Sequence, residues 1–498
     1  MNVNPITRLD YPDLDVIRVE DTYYMVSTTM HFMPGCEILQ SFDLVHWEHV
    51  TYVYETLDHT DAQQLKSGQN IYGQGMWAAS LRYHEGRFYI CFVANDTRKT
   101  YLYTSKKIDG PWKKQLIEGF YHDGSLLFDE DGRNYIVYGN DEIWITELNE
   151  DLIAPKKDGL HRLLVSDHKN PELGYEGSHI QKINGYYYIF LVHSLRERWM
   201  RTEACFYSDS LEGEFTGGDV LCDDRGYCGQ GVAQGGIVDT PDGKWYAMLF
   251  QDSGAVGRIP ILLPVIWKDH FPFFGQNGHV PEEIEVHSTR PGYIYQPLVG
   301  SDDFCNGLLP RWQFNHDPDP RYYHLDALQG TYTITTREVC TELTQAVNTL
   351  TQRMSYPSCA AEVTVDASAL KEGDVAGLCA LQSCYAAVGI TKHHGKYEVL
   401  MLDKKEDGIL DMTEGTVVES HQMDFRLEAD FCNMKDEARC YYRVNKGDWL
   451  PIGTVHKLYF KLDHFTGCRF GLFCYATEET GGSACFRDFK YYDVDEIS

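Results

Sequence analysis

Short apolar runs alternate with polar positions through the first 270 or so residues, and a tight turn separates the runs of each pair. The clearest copy is 174–192, where a strand and a Tyr-rich strand flank Asn184-Gly185. Asn-Gly between alternating apolar runs is the strongest short-range signal for a β-hairpin. The aromatic residues that mark the five copies of this unit are Tyr24, Tyr89, Tyr135, Tyr188 and Tyr246. Repetition of a multi-stranded unit at such spacing predicts a five-bladed β-propeller.

The repeat places acidic residues at the starts of three first strands. Asp13, Asp123 and Glu176 take these positions, while Ala78 and Gln234 take the other two. In a propeller the innermost strands converge on one axis, so the three carboxylates are expected to face one small space. Clustered like charges raise one another's pKa and cost stability. The alternative is that each acid only caps a turn, which explains one residue more readily than three at related positions.

The repeat is lost after residue 300, and longer alternating strands replace it. Turn residues separate runs such as 360–365, 457–462 and 470–475, which is typical of a β-sandwich. Helical periodicity is weak throughout. The sequence therefore predicts an all-β chain. It consists of a five-bladed propeller in 1–288, a Pro- and Gly-bearing linker in 289–300 and a β-sandwich in 301–498.

The composition restricts the classes of binding partner and the cellular location that we expect. The 44 basic and 74 acidic side chains give a net charge of −30, which argues against nucleic acid and anionic membranes as partners. No apolar run approaches membrane length and no basic-plus-apolar leader opens the chain, so we expect a cytoplasmic protein. The 15 cysteines show no zinc spacing and are interpreted as reduced packing residues. Whether the chain forms a homo-oligomer is left open.

Three converging carboxylates suit the hydrolysis of a glycosidic bond. One acid protonates the leaving oxygen, one carboxylate activates water on the opposite face, and a third orients the acid and holds up its pKa. Glu176 is the best candidate for the acid because it is the longest and precedes Gly177, with Asp13 as base and Asp123 as modulator. The rival is Ca²⁺ binding by the same three groups, but calcium takes six or more oxygens and no Asp-rich loop surrounds them.

Three further residues are candidates for the pocket. Phe32 lies in an apolar loop that we place at the pocket rim. Trp77 adjoins an axial position and is either a stacking wall for a sugar or a core residue. Arg258 follows Gly257 and is a candidate to bind sugar hydroxyls or to neutralise an axial carboxylate, with an ordinary surface arginine as the alternative.

With these motifs the sequence resembles glycoside hydrolase family 43, the β-xylosidase and α-L-arabinofuranosidase family. The motifs that carry the resemblance are Asn4-Pro5-Ile6 with Tyr11-Pro12-Asp13, His122-Asp123-Gly124-Ser125-Leu126, Tyr175-Glu176-Gly177, Gln234-Gly235-Gly236, Phe250-Gln251-Asp252 and Gly257-Arg258. They follow one another in the family's order and cover nearly the whole chain. The part from Asp303-Phe304 to Asp488-Phe489 is similar to the concanavalin-like, jelly-roll β-sandwich that accompanies the xylosidase branch.

The resemblance implies an inverting mechanism with Asp13 as base, Asp123 as modulator and Glu176 as acid. It also implies that Phe32, Trp77, Gln251 and Arg258 line the sugar pocket. No cofactor is required, and similar modules suggest a structural calcium near Asp303 and Asp488. The chain departs from the family pattern at three positions, Leu14, Ala79 and Ala233. The last replaces a histidine that can ligate an axial metal, which weighs against an axial calcium.

The sequence predicts an exo-glycosidase that releases terminal xylose from xylo-oligosaccharides and that also acts on α-L-arabinofuranosides. An inverting enzyme is expected to hold the carboxyl groups of Asp13 and Glu176 about 6.5–9.5 Å apart. Two alternatives stay open: a non-catalytic sugar-binding propeller, and an arabinanase that cuts inside chains. An open groove across the propeller favours the arabinanase, and a closed pit favours exo action.

Overall fold

Five four-stranded antiparallel sheets, the blades of a propeller, are formed by residues 15–274 in the computed structural model, which describes residues 2–413 and 415–493. Within each blade the first strand lies at one edge and the strands follow chain order outward. The strands of the first three blades are Asp15–Val19, Thr22–Val26, Gly35–Ser41 and Glu48–Tyr54 in blade 1, Met76–His84, Arg87–Ala94, Lys99–Ser105 and Lys113–Ile117 in blade 2, and Ser125–Phe128, Asn134–Asn140, Glu142–Leu148 and His161–Ser166 in blade 3. The remaining strands are Glu176–Ile183, Tyr186–Ser194, Arg201–Ser208 and Thr216–Leu221 in blade 4, and Val232–Asp239, Trp245–Asp252, Arg258–Lys268 and Phe271–Phe274 in blade 5.

An arginine from blade 2 ties the inner strands together. The Arg82 guanidinium donates to the Asp15 carboxylate of blade 1 at 2.6 Å and to Ser125 Oγ of blade 3 at 2.7 Å. It also donates to the Ile180 carbonyl of blade 4 at 3.2 Å, so one side chain reaches four blades. His179 lies 3.2 Å from the same buried carboxylate. Burial alone would raise the pKa of Asp15, but Arg82 and His179 lower it to about 2.

A β-bulge near the start of the innermost strand changes the alignment that the sequence predicted between the blades. Glu176 pairs with Val192 before the bulge in blade 4, and the carbonyl of His122 accepts from Gly139 N at the matching place in blade 3. The next residues, Gly177 and Asp123, both have positive φ. The blade-4 equivalent of Asp123 is therefore Gly177, and Glu176 is the equivalent of His122. By the same pairing, the residue of blade 2 that corresponds to Asp123 and Gly177 is Trp77 rather than Ala78.

Two further sheets form the C-terminal β-sandwich, so the predicted all-β fold is confirmed. In order across the first sheet the strands are Leu410–Met412, Lys396–Lys404, Ala386–His393, Val375–Leu381, Arg469–Tyr475, Leu350–Arg353, Gln313–Asn315 and Phe32–Met33, with Thr416–Val418 also beside Lys396–Lys404. Across the second sheet they are Tyr323–Asp326, Thr331–Thr335, Ser483–Asp493, Ser358–Asp366, Gln422–Asp430, Glu437–Val444 and Leu450–Lys457. An apolar core fills the space between the sheets.

The propeller and the sandwich are joined by strand pairing and by a buried ion pair. The short strand Phe32–Met33 leaves blade 1 and pairs with Gln313–Asn315 of the sandwich. The Arg353 guanidinium of the sandwich donates to the buried Glu37 carboxylate of blade 1 at 2.8 Å. The segment predicted as a linker packs on blade 1, where Arg290 pairs with Asp21. These contacts hold the sandwich against the face of the propeller that carries the site described below.

Short segments complete the description. Asn2–Val3 pairs with Glu283–Ile284 beside blade 5. The helical segments in the described ranges are single 3₁₀ turns, at Lys66–Gly68, Gly254–Val256, Leu343–Gln345 and Cys432–Met434. Within residues 2–413 and 415–493 no helix combines the length and apolar character that crossing a membrane requires.

Candidate active site

A cavity of about 610 Å³ opens where the inner strands of the propeller meet the sandwich. The three predicted catalytic residues, Asp13, Asp123 and Glu176, all line it. Trp77 and Arg258 line it as well, and Phe460 and Phe465 of the sandwich form another part of its wall. The structure thus brings together five of the seven residues that the sequence placed in the catalytic centre and sugar pocket.

Asp13 lies at the bottom of the cavity, with only 7% of its surface exposed. Arg258 Nη1 donates to its Oδ1 at 2.9 Å, and the Thr28 hydroxyl donates to its Oδ2 at 2.7 Å. Both contacts fix the orientation of the carboxyl group, because each donates a hydrogen bond to one of its oxygens. Asp13 is therefore held in the fixed orientation that a general base requires.

Asp123 is the second buried acid, with 5% of its surface exposed. Its Oδ2 accepts a hydrogen bond from the Gly177 backbone N–H at 3.0 Å, which ties it to the residue after Glu176. Burial raises the pKa of Asp123 to about 6; the neighbouring His122 opposes this, and the charges of Glu176 and Asp13 add to it.

Glu176 is the least buried of the three acids. Its Oε2 accepts a hydrogen bond from Asn140 Nδ2 at 2.7 Å. The side chain retains 18% exposure, so it can reach a bond that enters from the mouth of the cavity. Asn140 fixes one carboxyl oxygen and leaves the other available for the proton that a general acid delivers.

His122 is a functional residue that the sequence analysis missed. Its Nε2 lies 3.5 Å from Asp123 Oδ2 and 3.6 Å from Glu176 Oε2. Burial disfavours the imidazolium, but the charges of Asp123, Glu176 and Asp13 outweigh burial and raise the pKa of His122 to about 9. The sequence signal for His122 was its position one residue before Asp123. The bulge makes this position in blade 3 equivalent to that of Glu176 in blade 4.

Aromatic rings from both parts of the chain line the bottom of the cavity. The rings of Trp77 and Phe465 lie 5.5 Å apart between centroids. The Arg258 guanidinium lies 4.3 Å from the Phe465 ring and 5.7 Å from the Phe460 ring. Such flat apolar surfaces suit the C–H faces of a sugar, while the carboxylates take its hydroxyl groups. No local pattern in the sequence joins Phe465 to residues more than 200 positions earlier.

Two predicted pocket residues lie outside the cavity. Phe32 is fully buried between the domains, where the Arg469 guanidinium lies 3.5 Å from its ring, because its strand pairs with the sandwich instead of forming the rim. Gln251 lies behind the cavity wall. Its amide donates to the backbone carbonyls of Asp224 and Gln230 at 2.8 and 2.7 Å, so it supports the loop that contributes Gln230 to the lining.

Other missed residues form the wall beside blade 5. Arg201 Nε donates to the Asp252 carboxylate at 2.8 Å, and both side chains line the cavity. Gln234 also lines it, and its backbone N–H donates to Oε2 of the fully buried Glu203 at 2.7 Å. Burial raises the pKa of Glu203 well above its usual range. The hydrogen bond to this buried carboxyl group holds Gln234 in place.

Within residues 2–413 and 415–493, His122, Asp123 and Glu176 form the one group of three or more His, Cys, Asp or Glu side chains whose ligand atoms lie within 4.8 Å of one another. Asp303 and Asp488 directly follow and precede the bridged residues Asp302 and Phe489. Two such carboxylates suit a hard cation that also takes carbonyl oxygens, and the structural calcium there stays a prediction. Ala233 is fully buried in blade 5.

A propeller whose axis-facing cavity holds an oriented carboxylate, a second buried acid, a third acid that reaches the cavity mouth and aromatic walls has the construction of a glycoside hydrolase. Comparison with known proteins gives the same class. The family model described as glycosyl hydrolases family 43 matches residues 3–272, and the model described as the β-xylosidase C-terminal concanavalin A-like domain matches residues 301–492. The chain belongs to glycosyl hydrolase family 43.

The similarity to known proteins extends over both the propeller and the sandwich. A β-xylosidase of Formosa agariphila is 26% identical, with 99% of this chain and 89% of that protein covered. A non-reducing end α-L-arabinofuranosidase of Bacteroides ovatus is 24% identical over 82% of this chain and 79% of its own length. A solved structure titled as a bifunctional GH43-CE of Bacteroides eggerthii is 42% identical with a TM-score of 0.92. That match covers 99% of this chain, which spans 64% of the length of the Bacteroides eggerthii protein.

Proposed function

We propose that the protein is an inverting exo-β-xylosidase that releases terminal xylose from xylo-oligosaccharides. The observation that carries the proposal is the convergence of Asp13, Asp123 and Glu176 in one cavity with an aromatic bottom. The relatives named β-xylosidase support xylose as the sugar that is released. The expected separation of about 6.5–9.5 Å between the Asp13 and Glu176 carboxyl groups stays a prediction.

In this mechanism each of the three acids has its own role. Glu176 delivers a proton to the leaving oxygen, while Asp13, oriented by Arg258 and Thr28, takes a proton from the water that attacks the anomeric carbon. Asp123 is bound to the Gly177 backbone and adjoins His122, so it stabilises the position and proton of Glu176 through its charge. The bond to the leaving sugar breaks as the bond to water forms, which inverts the configuration.

Exo action is supported by the way the sandwich covers one side of the propeller. Phe460 and Phe465 lie over Arg258, and the Phe465 carbonyl accepts from Arg258 Nη2 at 3.4 Å. These aromatic residues stand where a chain crossing the propeller face would continue beyond the terminal sugar. A wall at that place favours removal of an end residue over cleavage inside an arabinan or xylan chain.

The test measures hydrolysis of xylobiose and of 4-nitrophenyl β-D-xylopyranoside by the wild type and by Glu176→Gln. We expect xylose from both substrates with the wild type, a fall of about 10³-fold on xylobiose in the variant, and a smaller fall on the nitrophenyl substrate, whose leaving group needs little acid assistance. Glu172→Gln is the matched control, because Glu172 is an exposed carboxylate that lines the same cavity and has no role in the proposed mechanism. A wild type that binds xylobiose and releases nothing would favour a sugar-binding propeller.

A second activity, on α-L-arabinofuranosides, is supported by the relative from Bacteroides ovatus that bears that name. Relatives from Butyrivibrio fibrisolvens and Humicola insolens carry both activities in their names, xylosidase/arabinosidase. Parallel assays with 4-nitrophenyl α-L-arabinofuranoside measure the ratio of the two activities. A larger kcat/KM for the arabinofuranoside would make arabinose the principal product.

A further inference from the structure

An exposed tryptophan, Trp199, lies on the lining of the cavity. Trp199 is 43% exposed and lines the cavity, although a side chain of this size normally buries most of its surface. It is carried on the loop that joins the second and third strands of blade 4. Exposed apolar surface beside a ligand cavity marks a binding surface more often than an isolated exposed residue does.

The Trp199 side chain is supported from one side. The Arg201 guanidinium lies 5.3 Å from its ring, and Arg201 is itself nearly buried and paired with Asp252. A ring that packs beside a paired arginine and stays 43% exposed is pre-organised for stacking, because little side-chain freedom is lost on binding.

The sandwich supplies a second exposed apolar group at the same cavity. Leu462 is 69% exposed and lines the cavity from the loop that also carries Phe465. Asp13 and Asp123, in contrast, are 7% and 5% exposed, so exposure rises from the catalytic residues toward Trp199 and Leu462. The cavity therefore has a deep, buried catalytic end, and its lining is more exposed at Trp199 and Leu462.

The deep end is taken by the terminal sugar. Asp13 must face the anomeric carbon from one side and Glu176 must reach the leaving oxygen from the other. The sugar beyond that oxygen then extends outward past Glu176, and Leu173, three residues earlier in the chain, is also part of the lining. A volume of about 610 Å³ is that of sites for drug-sized ligands, which leaves room for more than one sugar ring.

We propose that Trp199 and Leu462 form the subsite for the leaving-group sugar, the second xylose of a xylo-oligosaccharide. The inference rests on the proposed xylosidase function and adds the residues that select an oligosaccharide over a simple xyloside. The indole stacks on the apolar face of the second sugar, and Leu462 contacts it from the sandwich. Neither residue touches the terminal sugar or the reacting atoms.

The experiment compares xylobiose with β-D-xylopyranosyl fluoride, which carries the same terminal sugar and no leaving-group sugar. We expect Trp199→Ala to lower kcat/KM for xylobiose about tenfold and to leave that for the fluoride within about twofold of the wild type. Leu462→Ala is expected to lower the xylobiose value about threefold, and Trp199→Phe to keep most of it. Phe273→Ala, which removes an aromatic residue that is 49% exposed and outside the cavity lining, is the matched control.

Equal losses on the two substrates in Trp199→Ala would overturn the subsite, since that result reports damage to the catalytic centre. Unchanged activity on both would overturn it as well. The failure of the proposed function looks different: a wild type that releases xylose from neither substrate overturns both proposals. A wild type active on the fluoride and on xylobiose keeps the function and leaves the comparison between variants to decide the subsite.

Discussion

His122 Nε2 lies 3.6 Å from Glu176 Oε2, so a histidine contacts the proposed acid directly. The same nitrogen lies 3.5 Å from Asp123 Oδ2. With a pKa raised to about 9 by the surrounding carboxylates, against the opposing effect of burial, His122 is an imidazolium at neutral pH. One cation thus balances two of the three acids, and this balance sets the pH range in which they work.

Removing this cation is expected to move the pH profile. His122 lowers the pKa of Asp123, whose burial-raised value is about 6, so His122→Gln should raise that pKa further. Asp123 then loses its charge at a higher pH, and the acidic limb of kcat/KM moves upward by about one pH unit. The measurement is kcat/KM on xylobiose from pH 4.5 to 10. His161→Gln, at an exposed position of blade 3, is the control, and an unmoved limb would contradict the role of His122.

Asp13 and Glu176 are expected to differ in how their loss depends on the leaving group. Asp13→Asn should lower kcat about 10³-fold on xylobiose and on nitrophenyl xyloside alike, because water must be activated for both. Glu176→Gln should affect xylobiose far more than the nitrophenyl substrate. The ratio of the two rates, measured for each variant, separates base from acid. A strong leaving-group dependence in Asp13→Asn would reverse the assignment.

Phe465 tests the contribution of the sandwich to the site. Its ring lies 5.5 Å from Trp77 and 4.3 Å from the Arg258 guanidinium, so Phe465→Ala removes one wall of the cavity bottom. We expect kcat/KM on every xyloside to fall about tenfold, with the main effect in KM. Val455→Ala changes an exposed apolar residue of the sandwich outside the cavity lining and is the control. Wild-type KM in Phe465→Ala would mean that the sandwich does not contact the terminal sugar.

The Arg82–Asp15 pair is expected to stabilise the propeller rather than to act in catalysis. Asp15→Asn leaves a largely buried guanidinium without its counter-ion, which costs about 3–5 kcal/mol in the free energy of unfolding. The pKa of Asp15 is lowered to about 2, so the stabilisation is fully present above the ordinary carboxyl range near pH 4 and is lost as the pH falls toward 2. Urea unfolding at pH 7 and pH 3 should therefore show a large gap between wild type and variant that narrows in acid. A gap independent of pH would contradict this linkage.

The calcium prediction at Asp303 and Asp488 has its own test. If these carboxylates bind calcium, chelation with EDTA should lower the melting temperature by several degrees and added Ca²⁺ should restore it, because binding stabilises only the folded state. Asp303→Asn should abolish the response to Ca²⁺. Asp326→Asn, in a turn of the same sandwich, is the control. A melting temperature that EDTA does not change would remove calcium from the description.

The hairpin repeat made the propeller predictable, because Asn-Gly and Asp-Gly turns and alternating apolar residues are local signals. Asp13, Asp123 and Glu176 followed from the same repeat, although the bulge shifts Glu176 by one position relative to Asp123. The sequence carries no local signal for the contacts between the propeller and the sandwich. Phe32 pairs with a strand almost 300 residues away, and contacts at that distance leave no local pattern.

The role of His122 was also not predictable from the sequence, although its partners Asp123 and Glu176 lie nearer in the chain. A histidine beside an aspartate is common and has no meaning by itself. It gains a role only once the bulge turns its side chain toward Glu176, and bulges are not visible in an alternating pattern unless both strands of the pair are aligned. The residues missed by sequence reasoning are therefore those whose function depends on pairing register or on the packing of two domains.

The configuration of the xylose that is first released tests the central claim most directly. Proton NMR of 4-nitrophenyl β-D-xylopyranoside hydrolysis, recorded in the first minutes before the released xylose mutarotates, distinguishes the two anomers, because this substrate releases xylose only from the terminal position. An inverting exo-β-xylosidase that uses Asp13 to activate water must release α-xylose. Initial release of β-xylose would contradict the inverting mechanism and the role of Asp13, and release of no xylose would contradict the proposed function.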